Sequence, residues 1–322
     1  HSQAIGRTLR IMSRFVPISI SKFTVILSEM GIPITKISID RNEVASIIDA
    51  PNAEILSLRL VEIKAAPRII EDAIIKKNQY PETFWSIYPY YRMHLFDPNK
   101  PFYHDIGPRI RFGITPKPGF TLSGSIDKSL TGSFNEINRG AKGSLPHVRT
   151  ELRHYLNVQD TRVRTLTAAS YFKLSRQTYG RVTAGYLEPM FAGISSEMLY
   201  FPIKSKIAFG AELNYVKARH FRQLFGFREV SGMPKMNGHL TGYWDTGFYY
   251  YNAKLDVGRY LAGDVGSTLT LSREFPNGWK AGGFFSLTDA TFKEVHDALS
   301  NNLNITSIKT IASRTFECDY PY

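Results

Sequence analysis

From about residue 100 onward, apolar and polar side chains alternate one by one in runs of strand length, separated by turn residues. In Ile207–Tyr215, the residues Ile207, Phe209, Ala211, Leu213 and Tyr215 share one face, and Ala208, Gly210, Glu212 and Asn214 share the other. The same division recurs with Tyr251, Ala253, Leu255 and Val257 against Asn252, Lys254, Asp256 and Gly258. It recurs again with Trp279, Ala281, Gly283, Phe285 and Leu287 against Lys280, Gly282, Ser286 and Thr288. Successive strand side chains point to opposite faces, so each run has one apolar face and one small or charged face. A soluble β-sandwich buries its apolar faces against each other. A membrane barrel turns them to lipid and keeps a polar lumen.

Turn signals join the runs into hairpins. Arg109–Ile114 pairs with Phe120–Ile126 across Pro116–Gly119, Leu166–Leu174 with Tyr179–Leu187, and Met198–Phe201 turns at Lys204-Ser205 into the run from Ile207. Leu240–Trp244 turns at Asp245-Thr246-Gly247, and Thr268–Arg273 at Pro276-Asn277-Gly278; Asn-Gly between alternating runs is a strong hairpin signal. Alternate connections are long (Gly132–Asp160, Arg219–Asn237), the asymmetry of outer-membrane barrels, and the spacing predicts about ten to twelve strands. Residues 1–75 read differently. Ile5–Met12 has helical spacing, Phe23–Leu27 and Ile34–Ile39 form a hairpin about Met30–Pro33, and Asp40 caps a helix with Glu43 in its first turn. Ile55–Ile63 adds a further strand candidate. The predicted organisation is a small α/β module over 1–75, a Tyr/Pro-rich transition over 76–101, β-barrel strands over 102–290 and a divergent tail over 291–322.

Composition narrows the class. No apolar run reaches the roughly 18 residues that a spanning helix needs, which leaves a barrel open. Aromatics make up 13% of the chain, and Tyr200, Tyr215, Trp244, Tyr251 and Trp279 sit near segment ends, where an interfacial girdle places them. The net charge of +12 is spread over scattered residues such as Arg109/Arg111, Lys204/Lys206 and Arg219/Arg222, without a nucleic-acid-binding signature. A lumen or rim that meets an anionic glycan uses the same charge. The lone Cys318 excludes an internal disulfide, and no spacing suggests a metal site or a cofactor. The start at His1, without Met or a signal core, fits a mature product or a fragment.

Several motifs resemble the YjbH family: Leu145–Arg149, Tyr179–Glu188, Met190–Gly193 and Glu197–Tyr200, with Leu95–Pro98 upstream and Gly238-His239, Gly258–Asp264 and Phe275–Trp279 downstream. The resemblance runs in order from about residue 5 to 290. It implies an outer-membrane antiparallel β-barrel of a Gram-negative bacterium, preceded by a periplasmic α/β module, that assists exopolysaccharide production, assembly or export. Outer-membrane lipid, an anionic exopolysaccharide and export lipoproteins of the same pathway are the implied partners. Family members are about twice this length, and this chain resembles their C-terminal half. Past Thr288-Asp289 the match stops. Phe316, Cys318, Tyr320 and Tyr322 alternate as a terminal strand would, but Pro321 interrupts the ladder, so truncation or a shifted frame is expected and the barrel is read as incomplete.

The candidate sites follow from the faces. If the apolar residues meet lipid, Arg181, Glu212, Lys254, Asp256 and Lys280 face the lumen, as a path for an anionic glycan or as ion pairs filling a narrow barrel. Glu188 and Glu197 flank Met190–Gly193 and could form a glycosidase pair, or rim acids neutralised by nearby cations. His239 beside Asp245 or Asp264 lacks a nucleophile elbow and reads as a lumen group. In Arg259–Asp264 the glycines read as structural, for a sharp turn, across which Arg259 and Asp264 could form an internal ion pair. No residue is assigned a catalytic role, and a non-enzymatic barrel is the expected function. A glycan- or lipid-modifying enzyme and a soluble β-sandwich glycan-binding module are the alternatives.

Overall fold

In the N-terminal module, hydrophobic spacing and strand alternation converge on one small core. The computed structural model describes residues 2–48, 60–68, 79–95, 100–136, 146, 148, 154–155, 160–275 and 279–290. Helix α1 (Ser2–Phe15) and helix α2 (Arg41–Ile48) cover a three-stranded antiparallel sheet of β1 (Lys22–Glu29), β2 (Ile32–Asp40) and β3 (Glu62–Ala65). Leu9, Phe23, Ile39 and Val44 form the buried core, with Ile5, Met12, Val16, Val25 and Val61 packed around it. The Arg41 guanidinium donates to the carbonyls of Ser13 (2.8 Å), Val16 (3.1 Å) and Pro17 (2.6 Å), a cation placed where the end of α1 leaves acceptors without intrahelical partners. The strand candidate at Ile55–Ile63 appears as the shorter, later β3; residues 51–59 lie outside the described residues. On β3 the Glu62 carboxyl lies below its usual pKa, because Lys64 hydrogen-bonds and attracts it and Lys22 adds to the attraction. Charges of this kind blunt an edge strand.

The rest of the described chain is one antiparallel meander. In chain order its strands are β4 (Glu82–Leu95), β5 (Phe102–Lys117), β6 (Phe120–Lys128), β8 (Thr161–Lys173), β9 (Thr178–Tyr186), β10 (Phe191–Tyr200), β11 (Ile207–Arg219), β13 (Met236–Asp245), β14 (Tyr251–Arg259), β15 (Val265–Glu274) and β16 (Lys280–Thr288). Each pairs with the next of these, and the two-residue strands β7 (Thr131–Gly132) and β12 (Phe227–Arg228) lie against β5 and β11. The mainly β, antiparallel architecture expected from the sequence is present. The closed barrel is not found among the described residues: β4 and β16 each have a neighbour on one side only. The expected Pro276–Gly278 turn and the tail with Phe316, Cys318, Tyr320 and Tyr322 lie outside the described residues. The segment read as a transition carries β4, the first strand of the meander.

The two ends of the meander differ. At one end the strands turn tightly, at Pro118-Gly119, 174–177, 201–206 and 246–250. At the other lie the long connections 129–160 and 220–235, together with short turns at 187–190 and 260–264. The α/β module sits at the tight-turn end. The Lys173 ammonium donates to the carbonyls of Pro33 (2.7 Å) and Ala66 (2.9 Å), the Tyr179 hydroxyl donates to the carbonyl of Ile34 (3.3 Å), and the Gly119 N–H donates to the carbonyl of Met30 (2.7 Å). Gly31, at φ 76°, makes this approach possible: a Cβ there would lie 2.8 Å from Pro118. At the far end Tyr155, Met190, Phe191, Val216 and Ala218 form a second buried cluster, joined by Phe221, Val230, Met233 and Leu261.

Among the described residues nothing covers the apolar face of the meander. Phe209 (57% exposed), Leu213 (53%), Leu240 (68%) and Ile194 (51%) are open, as are Trp85, Ile87, Leu255, Leu271 and Phe285. Contiguous apolar surface beyond a few hundred Å² marks a partner or a membrane. A β-sandwich, which needs a second sheet against that face, does not form among the described residues. No described helix is long and apolar enough to cross a membrane, which leaves open a crossing by strands.

Candidate functional site

The polar face of the meander carries two groups of charged side chains, the first largely buried and the second half-buried. The first lies on β4, β5, β6 and β8. Asp105, 2% exposed, accepts from Arg162 (2.8 Å), the Tyr90 hydroxyl (3.1 Å), Arg92 (3.4 Å) and the Ser129 hydroxyl (2.5 Å). Asp127, 1% exposed, accepts two bonds from Arg109 (2.6 and 3.0 Å) and one from Arg92 (3.3 Å). Arg109 also stacks on Tyr90 and Tyr88 at 5.2 and 6.0 Å. Strand alternation places these groups on one side, and register aligns them, with Tyr88 beside Arg109 and Arg109 beside Asp127. Three guanidinium groups against two carboxylates leave a positive surplus. One step along β5 the exposed Arg111, on the same face, stands between Ser86 and Ser125 in register, and the Ser125 and Thr165 hydroxyls are bonded at 2.8 Å.

The second group is a transverse row. Arg181 on β9 is in register with Glu197 on β10, Glu197 with Glu212 on β11, and Glu212 with His239 on β13. Directly opposed like charges repel, and here each carboxylate has its own partner. Arg181 forms an ion pair with Glu197, and the Asn214 amide donates to Glu212 at 2.5 Å. His239 packs edge-on against Tyr260, centroids 4.7 Å apart, and its Nε2 has no hydrogen-bond partner among the described residues. Further along, Lys254 pairs with Asp256 at 3.0 Å, and Asp256 also accepts from the Thr241 hydroxyl at 2.7 Å.

The remaining candidates fall elsewhere. Glu188 lies in the β9–β10 turn rather than across from Glu197; its carbonyl accepts from Arg219 at 2.9 Å. Lys280 opens β16 in register with Glu274. Arg259 is in register with Gly238 and forms no ion pair with Asp264 among the described residues; the Asp264 carbonyl instead accepts from the Tyr260 N–H at 2.8 Å and closes the turn. The five residues expected to share one charged path therefore do share the polar face, but four of them are internally engaged: Arg181, Glu212, Lys254 and Asp256. No described His, Cys, Asp and Glu residues group as metal ligands would.

Sequence reasoning passed over the Asp105/Asp127 network and Arg219. The latter is 0% exposed and donates to the carbonyls of Val163 (2.9 Å), Glu188 (2.9 Å), Gln223 (3.1 Å) and Arg164 (3.2 Å), with the Tyr186 ring 4.1 Å below it. The Tyr155 hydroxyl donates to the Arg219 carbonyl at 2.5 Å. Arg219 thus fastens the long connections over the end of the polar face, where the inward Phe191, Val216 and Ala218 receive them. The signal available in the sequence was weak: an arginine ending an otherwise alternating strand.

With this face described, comparison with known proteins is decisive for the family. The family model described as "Exopolysaccharide biosynthesis protein YbjH" matches residues 1–299. This chain belongs to the YjbH family. A relative within reach of direct alignment is the Escherichia coli (strain K12) protein named "Uncharacterized lipoprotein YjbH", 38% identical over 174 residues, covering 54% of this chain and 24% of that protein. The aligned segment is thus about a quarter of the relative's length. No solved structure matches the chain. The YjbH family match covers the module and the described meander together, so the polar face and the docked module are parts of one family unit.

Proposed function

We propose that the chain is part of a non-enzymatic outer-membrane β-barrel that assists the production, assembly or export of an anionic exopolysaccharide. The observation that carries this reading is the sense of the alternation: over eleven strands the apolar side is uncovered among the described residues, while the polar side holds the buried Asp105, Asp127 and Arg162. That is the distribution of a lipid-facing wall and a lumen. Tight turns face the periplasm in such barrels, so the docked α/β module is periplasmic. The open edges at β4 and β16 call for further strands, which agrees with the greater length of the relative. A positive surplus near Arg111 suits acidic sugar units, since cations in a low-dielectric channel concentrate anions. Export lipoproteins are the proposed partners, on the strength of the family's role. Catalysis by the Glu188/Glu197 pair is disfavoured because Glu197 is already held by Arg181 and Glu188 lies in the β9–β10 turn rather than across from it.

The test is single-channel conductance of the protein in planar bilayers with an acidic polysaccharide on one side. Discrete steps that the glycan blocks, with block weakened by Arg111→Glu and Arg181→Glu, are expected. Stable insertion without steps or block overturns the conduit and leaves a plugged scaffold.

A further inference from the structure

The β13–β14 turn holds three consecutive aromatic residues in the open. Phe248, Tyr249 and Tyr250 are 64, 65 and 66% exposed, and Tyr249 and Tyr250 have φ of 45° and 61°. Bulky residues rarely adopt this left-handed conformation, which glycine or asparagine would take at far lower cost. It persists because the turn is over-determined. The Gly247 N–H donates to the Asp245 carboxylate (2.9 Å), the Phe248 N–H to the Thr246 hydroxyl (3.1 Å), the Thr246 hydroxyl to the Tyr251 carbonyl (2.7 Å), and the Tyr251 N–H to the Phe248 carbonyl (2.9 Å). Backbone bonds also tie the turn sideways, from Asp245 to Lys206 (2.8 Å) and from Glu274 to Tyr250 (3.3 Å). Strain held this firmly keeps the rings outward rather than folded back on the sheet.

The surroundings identify what the rings meet. The chain has three tryptophans, and Trp85, Trp244 and Trp279 all lie at the tight-turn end of the meander, 75, 53 and 71% exposed. They continue the uncovered apolar face up to the level of the turn, together with Tyr200, Phe201 and Ile207. Cations border the same rim: Lys204, Lys206 and Arg273, the last stacked on Tyr251 at 5.5 Å and Phe275 at 4.7 Å with its Nε unpartnered among the described residues. Amphipathic rings next to cations match a headgroup layer, where the ring body sits in the acyl boundary and the cation meets phosphate. We propose that the Phe248–Tyr250 turn is a strained anchor that seats this end of the protein in the anionic phospholipid headgroups of the leaflet at the tight-turn side. This rests on the apolar face being lipid-facing.

The experiment separates the two ideas. Cys318→Ser protein carrying an environment-sensitive fluorophore at Phe248→Cys, or at Leu255→Cys on the middle of the apolar face, is reconstituted in phosphatidylethanolamine/phosphatidylglycerol vesicles. Quenching by aqueous iodide is compared with quenching by lipids bearing nitroxides at headgroup or mid-chain depth. The expected result is a label at 248 shielded from iodide and quenched at headgroup depth, and a label at 255 quenched at mid-chain depth. Shielding at 248 should weaken in phosphatidylcholine vesicles, and Tyr249→Gly/Tyr250→Gly should abolish it without lowering the thermal unfolding midpoint. Iodide access at 248 with shielding at 255 overturns the anchor while the lipid-facing reading stands. Iodide access at both sites overturns both. Shielding at 248 that requires added acidic polysaccharide also overturns the anchor and makes the turn a sugar platform, and equal shielding in phosphatidylcholine overturns the anionic specificity.

Discussion

The α/β module and the meander are built from strands with the same period of two, yet they turn their apolar sides in opposite directions. In the module, Phe23, Ile37 and Ile39 are buried beneath α1 and α2. In the meander, Phe209, Leu213 and Leu240 are open and Asp105, Asp127 and Arg162 are buried. Alternation defines two faces but does not say which is inside. What decides is the second layer: the module supplies two amphipathic helices to cover its apolar side, whereas the described residues of the long connections of the meander cover part of its polar side. Buried charge is costly unless it is paired, and the Asp105 and Asp127 carboxylates are each met by several guanidinium, phenol or hydroxyl donors.

The sharpest way to break the comparison is to damage each interior in turn. Asp127→Ala leaves Arg109 without its carboxylate and Arg92 with Asp105 alone, and is expected to cost about 3–5 kcal/mol, as for other buried pairs that lose one partner. Phe23→Ala should cost a similar ~3–5 kcal/mol by opening a cavity in the module. Hydrogen exchange during denaturant unfolding in detergent micelles tells the two apart. Protection should fall first on β5–β8 in the former variant and on β1–β2 in the latter. Loss of protection across both regions in either variant would mean that the two interiors are one cooperative unit.

A smaller effect tests the outward faces. Leu240→Arg, in the middle of the apolar face, should cost about 2–4 kcal/mol for a protein folded in a bilayer. Ile11→Arg, on the exposed side of α1, should stay within about 0.5 kcal/mol, the range of ordinary surface changes. Equilibrium folding into vesicles measures both. Equal, near-zero effects would remove the contrast between the regions and with it the lipid-facing reading.

Much of the fold was legible because local chemistry agreed with it. Pro118-Gly119 and Asp245–Gly247 mark tight turns that the structure contains, and α1, α2, β1 and β2 follow their periodicity within a few residues. The first meander strand was not legible, since prolines and tyrosines between 80 and 101 read as a transition. The sheet tolerates Pro89 because β4 pairs on one side only, where Pro89 stands opposite Pro108 and neither can donate. The charged site was half legible. Parity put Arg181, Glu212, Lys254 and Asp256 on one face, but pairing depends on register between strands. Arg109 and Asp127 are 18 residues apart, Arg162 and Asp105 are 57, and nothing local announces either contact. The Arg259–Asp264 pair failed for a related reason: closeness in sequence across a turn does not aim two side chains at each other.

An effect smaller than that of Leu240→Arg is expected at the junction of the two regions. Lys173 ends β8 at 5% exposure, and no carboxylate pairs with it among the described residues; its ammonium spans to the Pro33 and Ala66 carbonyls and lies 5.2 Å from the Tyr179 ring centroid. Ala66 is itself 0% exposed, so water cannot replace the lost donor there. Lys173→Met keeps the length of the stem, removes both hydrogen bonds, and should cost about 1–3 kcal/mol through the unsatisfied carbonyls. The cost is local to the contact. Proteolysis within the module should quicken and exchange protection should fall in β2 and β3, while the β9–β11 ladder keeps its protection. Protection lost from β8 and β9 instead would make Lys173 a strand-terminal packing group, and the docking of the module would then rest on Gly119 and Tyr179.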